Sequence, residues 1–393
     1  MTPAARVQAA IELLDGVIAA AAGQGAPADR LIADYFRLRR YAGSKDRRAV
    51  RELVYDAIRA CGPLPSSGRA AMLRLAQGNP ALAALFDGSP HAPAAIGGDE
   101  QPSEGGLAPA WLTKYLKSSW ISGAEADALL GRGPLDIRVN GLKADRASIA
   151  LPIEAEPLAA PHALRLPAGT PVDQWDAFRG GLIEVQDHGS QLACLAVGAQ
   201  PGERIIDLCA GAGGKSIALA AAMNNRGTLI ACDTDKRRLG NLAPRAARAG
   251  AGIIQSVLLD PGKELERLAD WAGQADAVLV DAPCSGTGTW RRNPEARWRL
   301  NPATLKRLEE AQARLLGIAA TLVRPGGRLV FVTCSLLDSE GRRQADRFLA
   351  EHPGWTADRP ELPLGRPHGE GIRLTPFHDG TDGFFIARFT SAC

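Results

Sequence analysis

From Val185 onward the chain alternates short apolar runs with segments of helical period, and four successive runs end in an aspartate. ERIIDLC reads as a strand, SIALAAAM as a helix, GTLIACD as a strand and KRRLGNLAPRAARAG as a helix. The pattern continues through IIQSVLLD, ADAVLVDAP, a helix over 302–322, RLVFVTCS and a helix near 339–351. Strands buried on both faces are apolar throughout, and parallel neighbours need a crossover, so this alternation predicts an α/β fold with a mostly parallel, doubly wound sheet. GIRLTP and DGFFIARF are expected to close the sheet as a hairpin. Ligands of such sheets bind in the crevice at the carboxyl ends of the strands, where Asp207, Asp233, Asp260 and Asp281 fall.

The 393 residues exceed one such domain. Over residues 1–86, Val7, Ile11, Leu14 and Ile18 repeat at helical spacing, as do Val50, Leu53, Val54 and Ile58, so a small helical domain is expected. Ser44 reads as an N-cap with Asp46 in the first turn. Arg37, Arg39, Arg40, Lys45, Arg47, Arg48 and Arg51 face Asp46 alone in that stretch, a patch that suits phosphate or equally a solvated helix face. Residues 87–108 turn to Gly, Pro, Ser and Ala without period, as a linker does. A small α+β module is expected over 109–181 and the large sheet over 182–393.

The net charge of +3 does not by itself select a nucleic-acid partner. No apolar run approaches a membrane span of about 18 residues, and the first residues lack a signal-peptide pattern. Seven dispersed cysteines without C-x-x-C, among six scattered histidines, form neither a disulfide framework nor a readable metal site. The expectation is a cytoplasmic chain with free thiols, no membrane and no metal.

The first of the four runs leads into Asp207-Leu208-Cys209-Ala210-Gly211-Ala212-Gly213-Gly214-Lys215-Ser216, small residues that let backbone approach a ligand. A phosphate-binding P-loop would need glycine at 209, and glycines at 211, 213 and 214 do not make G-x-G-x-x-G. Asp233 lies 26 residues past Asp207, the region of a carboxylate that accepts from ribose hydroxyls. Repeated carboxylates repel a polyphosphate, so a nucleoside-bearing cofactor of another kind is expected. Cys284 and Cys334 follow neighbouring apolar runs; a single such thiol is usually a small buried hydrophobe, but two in one crevice point to chemistry. Trp290, Arg291, Arg292, Arg297, Trp298 and Arg299 suit RNA backbone and base stacking, or else the tryptophans pack the loop onto the sheet.

DLCAGAGGKS, DAPCSGTG followed by RRNPEARW, VTCS and the terminal DGFF, in that order, resemble the RsmB-like Nop/Sun family of RNA 5-methylcytosine methyltransferases over about residues 109–393. The basic helical start resembles, more weakly and in shorter form, the NusB-like RNA-binding domain of bacterial members. The resemblance implies a Rossmann-like class I methyltransferase domain that binds S-adenosylmethionine. Cys209, Ala210, Gly211, Ala212, Gly213, Gly214 and Lys215 would hold its methionine end, Asp233 its ribose with Arg238 beyond, Asp260 its adenine side, and Asp281 would lie between cofactor and base. Ala212 stands where the family usually has proline. Cys334 would be the nucleophile that adds to cytosine carbon 6, and Cys284 would serve release of the product. The implied substrate is RNA, with 16S ribosomal RNA favoured and tRNA the alternative, the 109–181 module also meeting RNA, and the protein a monomer. Two other readings are a catalytically silent RNA-binding assembly factor, against which both cysteines stand, and a P-loop NTPase, against which Cys209 stands.

Overall fold

In a computed structural model, which describes residues 1–23 and 25–393, the chain forms two compact units. One comprises Met1–Gly131 with Thr289–Asn301, the other Arg132–Gly288 with Pro302–Cys393. Among the described residues no helix is long and apolar enough to cross a membrane.

The first unit is built on α1 (Pro3–Ala22), α2 (Ala28–Leu38), α3 (Ser44–Ala60) and α4 (Gly68–Ala76). Thr2 caps α1 by accepting from Ala5 N, and Pro3 occupies a first-turn position where its missing N–H costs nothing. Val7, Leu14, Val17, Val50, Val54, Ile58 and Met72, spaced at helical period, are fully buried in one core. The expected cap at Ser44 is displaced by one residue: Gly43 is the N-cap, without a side-chain bond, and Ser44 is already helical. Asp46 instead accepts from Arg6 Nε at 2.8 Å and from the Met1 amino group at 3.2 Å. Those bonds, Arg6 first, hold its carboxyl below the ordinary range.

Residues 87–108 form no helix, as a linker would, yet they are tied down. Arg69 pairs with Glu100, Ser103 N donates to Ala70 O at 3.0 Å, and Gly62 N donates to Glu104 O at 3.0 Å. The change of unit therefore comes at Gly131 rather than at the Gly/Pro-rich stretch. Composition reports the lack of apolar periodicity there, and says nothing of where the backbone hydrogen bonds go.

In the second unit β1 (Leu135–Val139), β2 (Glu156–Pro157), β3 (Ala163–Leu166) and β4 (Ile183–Val185) make an antiparallel sheet in the order β2-β3-β1-β4. A nine-stranded sheet follows: β5 (Arg204–Asp207), β6 (Thr228–Asp233), β7 (Ile254–Leu258), β8 (Ala275–Asp281), β9 (Val323–Thr333), β10 (Trp355–Ala357), β11 (Arg366–His368), β12 (Gly371–Leu374) and β13 (Phe384–Ser391). Its order is β11-β12-β13-β9-β8-β5-β6-β7, with β10 on β13. β5 to β9 pair in parallel, and β13 runs antiparallel to β9 and β12. This is the expected Rossmann-like sheet. β12 and β13 do pair as expected, but through the short helix Pro376–Asp379 rather than a tight turn.

Successive strand residues point to opposite faces, and both faces are covered. Ile206, Ile230, Val278, Val280 and Phe331 bury on one side, Ile205, Leu229, Ala277, Leu279 and Val330 on the other. Each full burial of a Val, Leu, Ile or Phe contributes about 1.5–3 kcal/mol, which is what holds the strand ends in register. The helix expected over 236–250 is broken at Asn241 into Lys236–Gly240 and Leu242–Ala249, so that Pro244 falls in a first turn, where proline is tolerated.

Candidate active site

The order of the large sheet reverses between β5 and β8: β6 and β7 lie beyond β5, β9 and β13 beyond β8. Such a switch point leaves a crevice at the strand ends. Asp207, Asp233 and Asp281 are the last residues of β5, β6 and β8, so the sheet carries three of the four predicted acids to that edge. Asp260 stands apart. It is exposed, two residues beyond β7, and 3.8 Å from Arg267.

The loop after β5 is held by short bonds. Ala210 N donates to Cys232 O at 2.7 Å, Gly211 N to Asp233 Oδ2 at 2.7 Å, and Arg245 donates to Ala212 O at 2.8 Å. Gly211 and Gly213 have φ of 56° and 82°, the left-handed region that favours glycine. A Cβ on Gly211 would lie 2.5 Å from Arg238 Nη2, so the predicted Arg238 guanidinium rests on this loop; one on Gly213 would strike Leu242. Cys209 is half-buried, and burial together with Asp207 and Asp281 pushes its thiol well above the ordinary range. A thiol so held stays protonated.

Lys215 opens the following helix, and its Nζ lies 2.6 Å from Asp281 Oδ2. Burial works against the ammonium, but the Asp281 carboxylate more than offsets it, and its pKa is raised. Asp207 is buried with Oδ2 accepting from Ser216 Oγ at 2.7 Å and Oδ1 lacking any partner among the described residues. Burial pushes its carboxyl up to about 7.

β8 and β9 are adjacent and in register at Asp281 and Val332, so the loops that follow them meet. Cys284 Sγ and Cys334 Sγ are 3.4 Å apart. The contact with Cys334, then burial, push the Cys284 thiol well above its ordinary range. Beneath the sulfurs sits Glu340, which has no exposed surface. Its Oε1 accepts from Ser285 N at 2.8 Å and Gln312 Nε2 at 3.1 Å; its Oε2 accepts from Ser335 Oγ at 2.6 Å and from Ser285 Oγ. One carboxylate thus joins the residue after each cysteine. Sequence reasoning missed Glu340, and it missed Arg138, a buried β1 residue whose guanidinium bonds Gln186 and reaches Gly214 O at 3.2 Å. DIRVN places Arg138 next to an apolar strand position, the one signal that was available.

The tryptophans of the Arg/Trp cluster after Cys284 are packed and not open for base stacking. Trp290 and Arg297 have no exposed surface and Trp298 is 6% exposed, all within the helical unit. Arg297 Nη2 donates to Ile58 O at 2.5 Å and Cys61 O at 2.6 Å, Trp298 Nε1 to Gly62 O at 3.2 Å, and Arg299 to Gly25 O and Ala26 O at 2.8 Å each. Arg297, Trp298 and Arg299 thus complete a helix terminus and the core of the helical unit. In the basic stretch Arg37 pairs with Asp34, Arg39 with Glu12 and Arg51 with Asp29. Arg40, Lys45 and Arg48 are exposed and make no ion pair among the described residues.

A doubly wound sheet with acids at neighbouring strand ends, a glycine-bearing loop between them and two thiols in contact is the architecture of a Rossmann-like methyltransferase. A family model described as 16S rRNA methyltransferase RsmB/F matches residues 194–390, and the chain belongs to that family. A relative named ribosomal RNA small subunit methyltransferase B, from Xylella fastidiosa (strain Temecula1), is 36% identical over 71% of this chain and 66% of its own. The chain spans about two thirds of the length of the curated relatives it matches. The crystal structure of PH0851 aligns with a TM-score of 0.78 at 26% identity over 99% of both chains. A methyltransferase homolog protein from Pyrococcus horikoshii aligns at 0.60 and 26% identity, over 68% of this chain and 90% of its own.

Proposed function

We propose that this protein transfers a methyl group from S-adenosylmethionine to carbon 5 of a cytosine in 16S ribosomal RNA, through a covalent bond between Cys334 and cytosine carbon 6. The observation that carries the reading is the 3.4 Å approach of Cys284 and Cys334 at the ends of adjacent parallel strands, one of which also ends in Asp281. The name of the family and of its relatives supports ribosomal RNA as the substrate.

The loop fits the cofactor. A buried Asp207 oxygen without a partner suits a cationic amino group, and the positive-φ glycines keep side chains out of the cradle. Asp233 uses one lone pair of each oxygen, on Gly211 N and Asp235 N, and keeps acceptor capacity for a ribose diol. Cys209, Ala210, Ala212, Gly214 and Lys215 complete the cradle, Arg238 covers it, and Asp260 takes the adenine side. When bound, S-adenosylmethionine supplies an electrophilic methyl group on sulfonium sulfur.

Cytosine carbon 5 is a weak nucleophile, so a thiolate must first add at carbon 6. Of the two sulfurs Cys284 is the one held as a thiol, and Cys334 is the one that attacks. The new sulfur–carbon bond pushes an electron pair to carbon 5, which then takes the methyl group. Asp281 accepts from the cytosine amino edge, its charge balanced by Lys215. Once Cys334 is a thioether, the contact that holds the Cys284 thiol above its ordinary range is gone. Cys284 then loses its proton to solvent, takes the proton from carbon 5, and the electron pair left behind expels Cys334 as thiolate.

The test is reaction of purified protein with 16S ribosomal RNA and tritiated S-adenosylmethionine. Cys334→Ala should transfer no methyl, and Cys284→Ala should accumulate a denaturant-resistant RNA–protein adduct. Turnover by Cys334→Ala, or unimpeded release by Cys284→Ala, sinks the mechanism.

A further inference from the structure

The helix Ala110–Ser118 ends in a geometry that its sequence does not favour. Trp120 N donates to Lys117 O at 3.0 Å and Ile121 N to Leu116 O at 2.9 Å, the paired bonds of a Schellman cap, which require a left-handed residue just past the C-cap Ser119. That residue is Trp120, at φ 67°. Glycine takes this position without strain and a tryptophan does not. Buried packing does not compensate, because the indole is 77% exposed; every other described tryptophan is buried or half-buried. Leu116 and Ile121, the apolar pair of the cap, are fully buried and hold the turn whatever the side chain at 120.

The surroundings are cationic. Lys114 and Lys117, three apart on one helix face, are exposed and make no ion pair among the described residues. Tyr115, 41% exposed, lies edge-on to Trp111 with ring centroids 5.8 Å apart. The nearest acids in the chain are Glu125, which is half-buried and has a partner, and exposed Asp127 on the following short helix. A solvent-facing indole next to uncompensated ammonium groups matches the design by which single strands are held, an aromatic face for a base and cations for the backbone. A protein partner would have no need of two unpaired lysines.

We propose that Trp120 is a stacking platform for an unpaired base of the RNA substrate, with Lys114 and Lys117 taking the flanking phosphates. The proposal rests on the RNA reading above and adds a contact at a position that none of the family motifs includes. It also explains why a strained residue is kept at a helix end: stability is given up there for an exposed ring.

The full-length protein is tested with a fluorescein-labelled single-stranded oligocytidylate by anisotropy, alongside iodide quenching of tryptophan emission. Bound RNA should shield the one exposed indole from iodide. Trp120→Gly should weaken binding by about 5- to 100-fold while the melting temperature holds or rises, because glycine relieves the turn. Trp120→Phe should retain most of the affinity. Lys114→Gln with Lys117→Gln should lower the slope of log affinity against log salt by about 1.4. If the unaltered protein binds the oligonucleotide but Trp120→Gly binds it equally well, or if iodide still reaches the indole in the complex, the platform is wrong and the ring serves a protein partner. A lower melting temperature for Trp120→Gly makes the residue structural and also overturns the proposal. Failure of the unaltered protein to bind any RNA removes the substrate reading itself.

Discussion

Glu340 ties together two cysteine loops that the chain separates by 50 residues. Its Oε1 faces the Ser285 backbone N–H, which cannot reverse, beside the Gln312 amide, whereas its Oε2 faces hydroxyls that can rotate to accept. Glu340→Gln therefore finds a tolerable orientation and loses mainly charge assistance, about 1–2 kcal/mol. Glu340→Ala leaves Ser285 N buried without an acceptor, at about 1–3 kcal/mol, and adds the cost of the cavity it opens, while Gln312 Nε2 keeps its bond to Pro283 O. Chemical denaturation should rank the two in that order, with single-turnover methylation falling in parallel as the sulfur spacing loosens. Equal stability of both variants and the parent would refute the clamp. Asp207 supports a second test. Its folded pKa of about 7 lies above the ordinary 3.8, so the native state holds a proton that the unfolded chain releases between those values. The stability it contributes is full below 3.8 and is lost as pH rises toward 7, by up to about 1.4 kcal/mol per pH unit. Asp207→Asn should remove that slope from the pH profile of unfolding free energy; parallel profiles would show that the buried carboxyl titrates elsewhere. Asp207, Asp233, Asp281, Cys284 and Cys334 were legible because each follows an apolar run, which fixes its place at a strand end. Glu340 was not, since it sits in the polar stretch LLDSEGRR and its partners are 5 to 55 residues away.

At the level of elements, the alternation of apolar and helical segments carried the large sheet, because a strand buried on both faces has no other way to satisfy its side chains. Residues 289–301 were left between two readings for the complementary reason. Arginine and tryptophan have the same composition whether they stack on a nucleic acid or fill a core. What decides is the supply of open carbonyls at the end of α3, more than 200 residues earlier, and no local signal reports it. Arg297 meets those carbonyls at the negative end of the helix dipole, and burial lowers its pKa only to about 10, so it remains charged at neutral pH. Arg297→Met keeps the stem but orphans the Ile58 and Cys61 carbonyls, and should cost about 2–4 kcal/mol. Hydrogen exchange gives the location: protection should fall in the last turn of α3. Unchanged protection there would mean that water replaces the guanidinium without cost.

Across the whole molecule, chain order and compact units do not coincide. The chain leaves the second unit directly after the Cys284 loop, contributes 289–301 to the helical unit, and returns at Pro302. The helical unit is therefore completed by residues that a boundary drawn at 86, 108 or 131 assigns to the catalytic part. A chain trimmed to 132–393 would keep Arg297 and Trp298 while losing the helices that bury them. An indole buries about 150–250 Å², so the trimmed protein would expose an apolar patch of that order beside an unpaired cation, which promotes association. Size-exclusion chromatography and dye binding to exposed apolar surface should show the trimmed chain associated and dye-binding, and replacing Arg297 and Trp298 by serine should restore a monomer. A trimmed chain that is monomeric without those replacements would show that 289–301 refolds onto other surface, and that the helical unit is an appendage rather than the environment in which this segment folds.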